Sequence, residues 1–165
     1  MRASGRDRCE DYADKFGVPF YKGQKPWSVK VDVAMPCATQ NEIGIKEAKQ
    51  IIANGTKYYI EVANMPTTEE ALNYLSDMDS VIVAPSKAVN AGGVCVSGLE
   101  MSQNSQRLSW TAEEVDEKLH NAMINIHKHS VEAAEKYGLG YNLVAGANIA
   151  GFEKVAEAMM AQGIY

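Results

Sequence analysis

Polar side chains follow each of three short apolar stretches of this 165-residue chain. Thr39 and Gln40 follow the first stretch, Asn64 follows the second, and Asn90 follows the third. Amides and hydroxyls both donate and accept hydrogen bonds, so these groups suit a polar but largely uncharged ring or a ribose. The alternative is that they cap helices and satisfy loop backbone.

The elements that must position these groups are three β-strands, each followed by a helix. The predicted strands cover residues 29–35, 57–62 and 80–83. The helix after the first strand is predicted to end near Asn54-Gly55, the helix after the second to begin at Thr67, and the helix after the third to extend to Leu108. Short strands alternating with helices indicate a parallel sheet with helical crossovers. The carboxyl ends of parallel strands share one edge, so the sequence predicts a ligand crevice there.

Other helices are predicted on either side of this unit. They cover residues 6–16, ending at Gly17, residues 111–137, and residues 148–161, with a stop at Gly163. Thr67 with Glu70, and Thr111 with Glu114, have the spacing of a capping box. The carboxyl-terminal part is therefore expected to be entirely helical.

The helix after the third strand is predicted to present one polar face. On a helix that begins near Asn90, the side chains of Val94, Ser97 and Met101 lie within about 40° of it. Gly92 and Gly93 leave room for a ligand ring or for another backbone. The competing interpretation is tight packing of this helix against a strand, with the Ser97 hydroxyl bonding back to its own helix.

Composition excludes several classes of protein. The net charge of −5 argues against a general nucleic-acid surface, and no apolar run approaches the length of a membrane helix. Three widely spaced cysteines favour reduced thiols in a cytoplasmic protein. His127 and His129 point about 200° apart on a helix, so no shared metal site is predicted.

Familiar nucleotide and nucleophile motifs do not occur. No G-x-G-x-x-G follows a strand, and no P-loop or G-x-S-x-G is present. Cys37 and Cys95 have no evident histidine partner, and Lys87 is the only lysine of the three loops. The chain also opens on a predicted helix with no strand in front of it. With the missing G-x-G-x-x-G, this order predicts the second half of a Rossmann-type dinucleotide-binding domain, with three main parallel strands and a helix-rich C-terminal part.

Four segments closely resemble the C-terminal part of hexameric NAD(P)-dependent glutamate dehydrogenases. They are PCATQNE (36–42), ANMPTTEEA (63–71), APSKAVNAGGVCVSGLEMSQN (84–104) and GANIAGFEKVAEAMMAQG (146–163). The resemblance covers nearly the whole chain, in order and with compatible spacing. It implies that residues 1–165 are a partial dinucleotide-binding domain with trailing helices.

The resemblance also implies an activity and site residues. The family interconverts L-glutamate and 2-oxoglutarate plus ammonia by hydride transfer with NAD or NADP. By resemblance, Ala38, Thr39, Asn64 and Asn90 would contact the cofactor, and Val94 and Ser97 would contact the substrate. The family's catalytic lysine and aspartate belong to a part of the enzyme that this chain does not match, so no catalytic residue is assigned.

Further expectations follow from the same resemblance. NADP is preferred over NAD, the intact enzyme is a cytoplasmic homohexamer, and the isolated chain is an inactive monomer or weak dimer. Val62, Ser86 and Val89 are bulkier than the residues that the family usually has there, which predicts a tighter crevice. The alternatives are a stand-alone nucleotide-binding or regulatory module, a structural or interaction domain, and another amino-acid dehydrogenase of the superfamily.

Overall fold

The computed structural model describes residues 8–163, which form one parallel sheet and seven α-helices in that part of the chain. The strands are β1 (Val33–Ala34), β2 (Tyr58–Ile60) and β3 (Ile82–Ala84), and the helices are α1 (Cys9–Phe16), α2 (Ile45–Ala53), α3 (Glu69–Ser76), α4 (Ser86–Val89), α5 (Ala91–Gln106), α6 (Ala112–Lys136) and α7 (Leu143–Gln162). The strands pair in the order β1-β2-β3, all parallel. This architecture confirms the predicted α/β class and the helix-rich C-terminal part. Within residues 8–163, no helix is long and apolar enough to cross a membrane.

The first strand is much shorter than the predicted range of residues 29–35. The carbonyl oxygen of Asp32 still accepts from the Tyr58 N–H of β2, but carbonyl groups further upstream are bound by side chains that follow α2. The Asn54 amide donates to the carbonyl oxygen of Trp27, and the Thr56 hydroxyl donates to that of Val31 at 3.0 Å. Apolar patterning predicts an extended segment here, but does not show which groups satisfy its backbone.

The core lies between one face of the sheet and helices α2 and α3. The buried cluster comprises Ala34, Ile43, Ala48, Ile51, Tyr59, Ala71, Leu75, Val81 and Val83. Tyr59, at the centre of β2, is fully buried, and its hydroxyl lies 2.6 Å from the Thr67 hydroxyl. Burial raises the pKa of the Tyr59 hydroxyl above its ordinary value of 10.0, because the phenolate would be desolvated.

Thr67 therefore does not cap a helix, and the predicted Thr67–Glu70 capping box is wrong. Helix α3 begins at Glu69, and Thr68 occupies the N-cap position without a side-chain cap bond. The Thr67 side chain is turned into the core, where a buried hydroxyl requires a partner and finds Tyr59. The Thr111–Glu114 capping box at the start of α6 is confirmed, with both reciprocal bonds formed.

Two helical boundaries also differ from the prediction. Helix α7 begins at Leu143 rather than near Asn148, because the Asn142 side chain caps it by accepting a bond from the Ala145 N–H. The short helix α4 precedes α5 and was not predicted as a separate element. The stops at Gly17, Asn54-Gly55 and Gly163 are confirmed, and each of these three glycines has a positive φ.

Helices α6 and α7 pack closely against each other at a glycine. A Cβ placed on Gly146 would lie 1.9 Å from the backbone oxygen of Ser130 and 3.2 Å from Cβ of Ala134. Gly146 and both of these neighbours are buried. The absence of a side chain at Gly146 thus sets the distance between the two longest helices.

Candidate functional site

The loops that follow the three strands meet at the carboxyl edge of the sheet, as predicted. The loop after β2 is bound to the loop after β1, because the Val62 and Ala63 N–H groups both donate to the carbonyl oxygen of Pro36. Further along these loops, the Asn41 N–H donates to the carbonyl oxygen of Met65 at 2.9 Å. Asn41 and Met65 both have positive φ angles, so the backbone is held in an uncommon conformation at this contact.

A cavity of about 600 Å³ opens between these loops and the start of α5, and we call it the loop-edge cavity. It is lined by Cys37, Ala38, Gln40, Val62, Ala63, Asn64, Asn90, Gly93 and Val94. None of these residues is charged, which matches the polar but uncharged crevice expected from the sequence.

Four of the six residues proposed from the sequence line this cavity, namely Ala38, Asn64, Asn90 and Val94. Thr39 is exposed beside Ala38, outside the lining. Ser97 is exposed further along α5, and it does not line the cavity either. Three of the four proposed cofactor-binding residues therefore line the cavity, but only one of the two proposed substrate-binding residues does.

The amides of Asn64 and Asn90 bind each other across the cavity. Nδ2 of Asn90 donates to Oδ1 of Asn64 at 2.6 Å. This bond leaves Nδ2 of Asn64 as a donor and Oδ1 of Asn90 as an acceptor. A donor and an acceptor held together in this way complement a carboxamide, which offers one of each.

The two glycines at the start of α5 have different surroundings. Gly93 lines the loop-edge cavity, and a Cβ added there would meet no atom within 4 Å. Gly92 faces α6 instead, where an added Cβ would lie 3.3 Å from Cδ1 of Leu119 and 3.4 Å from Sδ of Met123. The expected packing against a strand is therefore wrong, because Gly92 packs against a helix, and the role of Gly93 in binding a ligand stays a prediction.

The face of α5 that carries Val94 and Met101 is open to solvent. The Val94 side chain is 77% exposed and that of Met101 is 72% exposed. Large apolar side chains exposed on one face indicate a surface that contacts something outside the described chain.

Of the three bulkier residues noted in the sequence, only Val62 lines the loop-edge cavity. Val89 lies instead beside a small apolar cavity of about 90 Å³ near Met123 and Ile126 of α6. Ser86 begins α4, and its N–H donates to the Glu61 side chain in the loop after β2. The predicted tightening of the crevice therefore applies to Val62 alone.

Sequence reasoning missed Glu61, which directly follows β2. Its side chain is buried, and Oε2 accepts a hydrogen bond from the Ser86 N–H at 3.0 Å. The available signal was an acidic residue inside the apolar run of residues 58–62.

Other groups considered from the sequence lie outside the cavity. Lys87 donates to the side chain of Asn148 on α7 and is exposed. His127 is hydrogen-bonded to the Tyr141 hydroxyl at 2.6 Å. Residues 8–163 contain no group of three or more His, Cys, Asp or Glu side chains that could hold a metal ion.

Comparison with known proteins gives consistent matches over nearly the whole chain. NAD-specific glutamate dehydrogenase of Clostridium symbiosum is 70% identical over 164 residues, which are 99% of this chain and 36% of that protein. NADP-specific glutamate dehydrogenase of Escherichia coli (strain K12) is 54% identical, with the same two coverages. The chain thus spans about a third of the length of these relatives.

Solved structures give the same result. A structure titled glutamate dehydrogenase matches with a TM-score of 0.95 and 70% identity, over 99% of this chain and 36% of that one. A glutamate dehydrogenase of Plasmodium falciparum matches with a TM-score of 0.91 and 46% identity, over 98% and 35%.

The family profile described as Glutamate/Leucine/Phenylalanine/Valine dehydrogenase matches residues 1–163. This match confirms the resemblance found in the four sequence segments. The chain belongs to the Glutamate/Leucine/Phenylalanine/Valine dehydrogenase family.

Proposed function

We propose that this chain is the C-terminal part of an NAD(P)-dependent glutamate dehydrogenase and forms part of its dinucleotide-binding domain. The intact enzyme would interconvert L-glutamate and 2-oxoglutarate plus ammonia. The observation that carries the proposal is the Asn64–Asn90 amide pair, held in an uncharged cavity at the carboxyl edge of a parallel sheet. The names of the relatives supply the reaction class.

The cavity fits the nicotinamide end of the cofactor. Asn64 and Asn90 offer a donor and an acceptor to a carboxamide, Gly93 leaves space beside them, and Ala38 lines the adjoining wall. Thr39 would contact the cofactor from beside Ala38, outside this lining. The bound nicotinamide would accept or supply the hydride. The chain's own contribution is to bind and orient this group. Relatives include NAD-specific and NADP-specific enzymes, so the preference for NADP stays a prediction.

Val94 and Ser97 would form the substrate side of the same wall. They lie one and two turns beyond Asn90 on α5, and the exposed face that they share would be covered when a substrate domain closes over it. The Ser97 hydroxyl would donate to the side-chain carboxylate of glutamate. The acid and base groups would come from the rest of the enzyme, so the isolated chain is expected to be inactive.

The proposal includes an assembly and a location. We expect the intact enzyme to be a cytoplasmic homohexamer and the isolated chain to be a monomer or weak dimer. Sedimentation of both species would test this expectation, and a hexamer formed by the isolated chain would contradict it.

The proposal is tested by replacing the amides in the intact enzyme. N64A and N90A should each weaken binding of NADH or NADPH by about tenfold, the effect of losing one well-placed hydrogen bond. N125A, on the exposed part of α6, is the matched control and should bind like the wild type. Nucleotide fluorescence measures the dissociation constants. Wild-type affinity in N64A and N90A would contradict the proposal.

Substrate profiling separates glutamate from the other substrates in the family's description. The intact enzyme should oxidise L-glutamate with a higher kcat/KM than leucine, phenylalanine or valine. The opposite order would indicate another amino-acid dehydrogenase.

A stand-alone nucleotide-binding module is the second candidate, because Asn64 and Asn90 already form their amide pair within this chain. Titration of NADPH with the isolated chain distinguishes the two. Sub-micromolar binding would favour the module, whereas absent or millimolar binding would favour the fragment of an enzyme.

A further inference from the structure

Glu61 is a buried ionisable group for which the proposed function has no use. Its side chain is only 3% exposed, and it does not line the loop-edge cavity. Burial of a carboxyl group is unfavourable unless hydrogen bonds compensate. A buried carboxyl directly after the central strand therefore calls for a structural or functional reason.

The contact of Glu61 joins the loops after β2 and β3. Oε2 accepts from the Ser86 N–H at 3.0 Å, at the first residue of α4. The residue before Ser86 is Pro85, which occupies the N-cap position and has no side-chain acceptor. The Ser86 N–H has no acceptor within α4, and its acceptor is supplied by the loop after β2, 25 residues away in the sequence.

This bond closes a circuit that includes the amide pair. The carbonyl oxygen of Ser86 accepts from the Asn90 N–H at 2.9 Å, and Nδ2 of Asn90 donates to Oδ1 of Asn64 at 2.6 Å. Asn64 and Glu61 lie three residues apart in the same loop, so the backbone between them completes the circuit. The backbone N–H of Glu61 also donates to the carbonyl oxygen of Ala84 at 3.0 Å, which fixes the base of the circuit.

We propose that Glu61 is a positioning residue that holds α4 so that Asn90 meets Asn64 at the wall of the loop-edge cavity. It acts through the Ser86 N–H and does not touch the ligand. The inference rests on the proposed function for the identity of the ligand, but the geometry that it explains belongs to the chain itself.

Two matched pairs of variants of the intact enzyme test this role. E61A removes the acceptor, whereas E61Q keeps an acceptor oxygen on a side chain of the same length. S86P removes the N–H donor at the first helical position, where proline is tolerated, whereas S86G keeps the donor. Either pair suffices if a variant of the other does not fold.

The measurements separate positioning from general stability. In E61A and S86P, the KM for NADH or NADPH should rise about tenfold, with kcat at saturation changed by less than about twofold. Amide hydrogen exchange at residues 86–90 should accelerate by a similar factor. E61Q and S86G should resemble the wild type in KM and in exchange.

Three results would overturn the inference: wild-type KM in folded E61A and S86P, unchanged exchange at residues 86–90, or damage by E61Q equal to that by E61A. Failure of the proposed function has a different signature, namely no nicotinamide nucleotide binding by the wild type. In that case exchange at residues 86–90 still decides whether Glu61 holds α4.

Discussion

At the scale of single residues, the pair formed by Tyr59 and Thr67 shows how a buried polar contact is built into the sheet. The two hydroxyls are 2.6 Å apart inside the core, and each would be unsatisfied without the other. The stability that this contact contributes also depends on pH, because ionising Tyr59 would leave a charged phenolate buried in the core.

Y59F should change how stability depends on pH. The folded-state pKa of Tyr59 is raised, so the folded protein keeps this proton above pH 10, where the unfolded chain has lost it. Stability contributed by the neutral hydroxyl is therefore complete below about pH 10 and falls as the pH rises further. Urea unfolding between pH 9 and 11 should show a steeper decline for the wild type than for Y59F.

The exposed neighbour Tyr58 provides the control for this comparison. Y58F should keep the wild-type slope, since that side chain is 45% exposed. Equal slopes for Y59F and the wild type would contradict the assignment of the pH dependence to Tyr59.

Ser97 is the residue proposed to bind the side-chain carboxylate of glutamate. S97A in the intact enzyme should lower kcat/KM for glutamate by a factor that corresponds to about 1–3 kcal/mol, because a hydrogen bond to a carboxylate is lost. S105A, on an exposed position of the same helix, should leave kcat/KM unchanged. Steady-state kinetics decides, and unchanged glutamate kinetics in S97A would remove Ser97 from the site.

At the scale of secondary-structure elements, the crossing of α6 and α7 depends on Gly146. G146A would place Cβ 1.9 Å from the Ser130 oxygen, so the helices must move apart. We expect a loss of about 2 kcal/mol or more in the free energy of unfolding, measured with urea.

The control for this variant lies on the same helix. A Cβ at Gly151 would meet no atom within 4 Å, so G151A should stabilise the protein by about 0.5–1 kcal/mol through helix propensity. Destabilisation of equal size in both variants would show that the crossing is not responsible.

Substitutions of the two glycines at the start of α5 should have different effects, one on nucleotide binding and the other on stability. G93L should fill the loop-edge cavity and weaken nucleotide binding at least about tenfold while leaving the fold intact, because Gly93 faces open space. G92A should instead affect stability, through contact with Leu119 and Met123 of α6. Thermal unfolding together with nucleotide titration distinguishes them, and normal binding by G93L would contradict the cavity assignment.

The sequence predicted the strand–loop–helix units and the edge at which the loops meet, because apolar runs and turn residues are local signals. It predicted the proximity of Asn64 and Asn90 for the same reason, since parallel strands end at one edge. It did not predict that Glu61 binds Ser86, or that Thr67 binds Tyr59. These bonds join residues that are distant in the chain or that point inward, and a local pattern carries no information about such partners.

At the scale of the whole molecule, one face of the sheet is covered by α2 and α3, whereas the other exposes a row of apolar side chains. Val33, Tyr58 and Ile82 are aligned across the three strands, and each is between 39% and 45% exposed. An exposed row of this kind indicates a surface that is buried in a larger assembly. It is consistent with a chain that spans about a third of its relatives' length.

The strand order β1-β2-β3 has a consequence for how the polypeptide folds during synthesis. Each strand pairs with the next one along the chain, about 25 residues away, so no pairing waits for a distant segment. We expect nascent chains stalled on the ribosome to resist protease once β3 has emerged, because β3 completes the sheet and its buried core. Resistance that began only after α7 had emerged would instead show that the sheet needs the carboxyl-terminal helices to form.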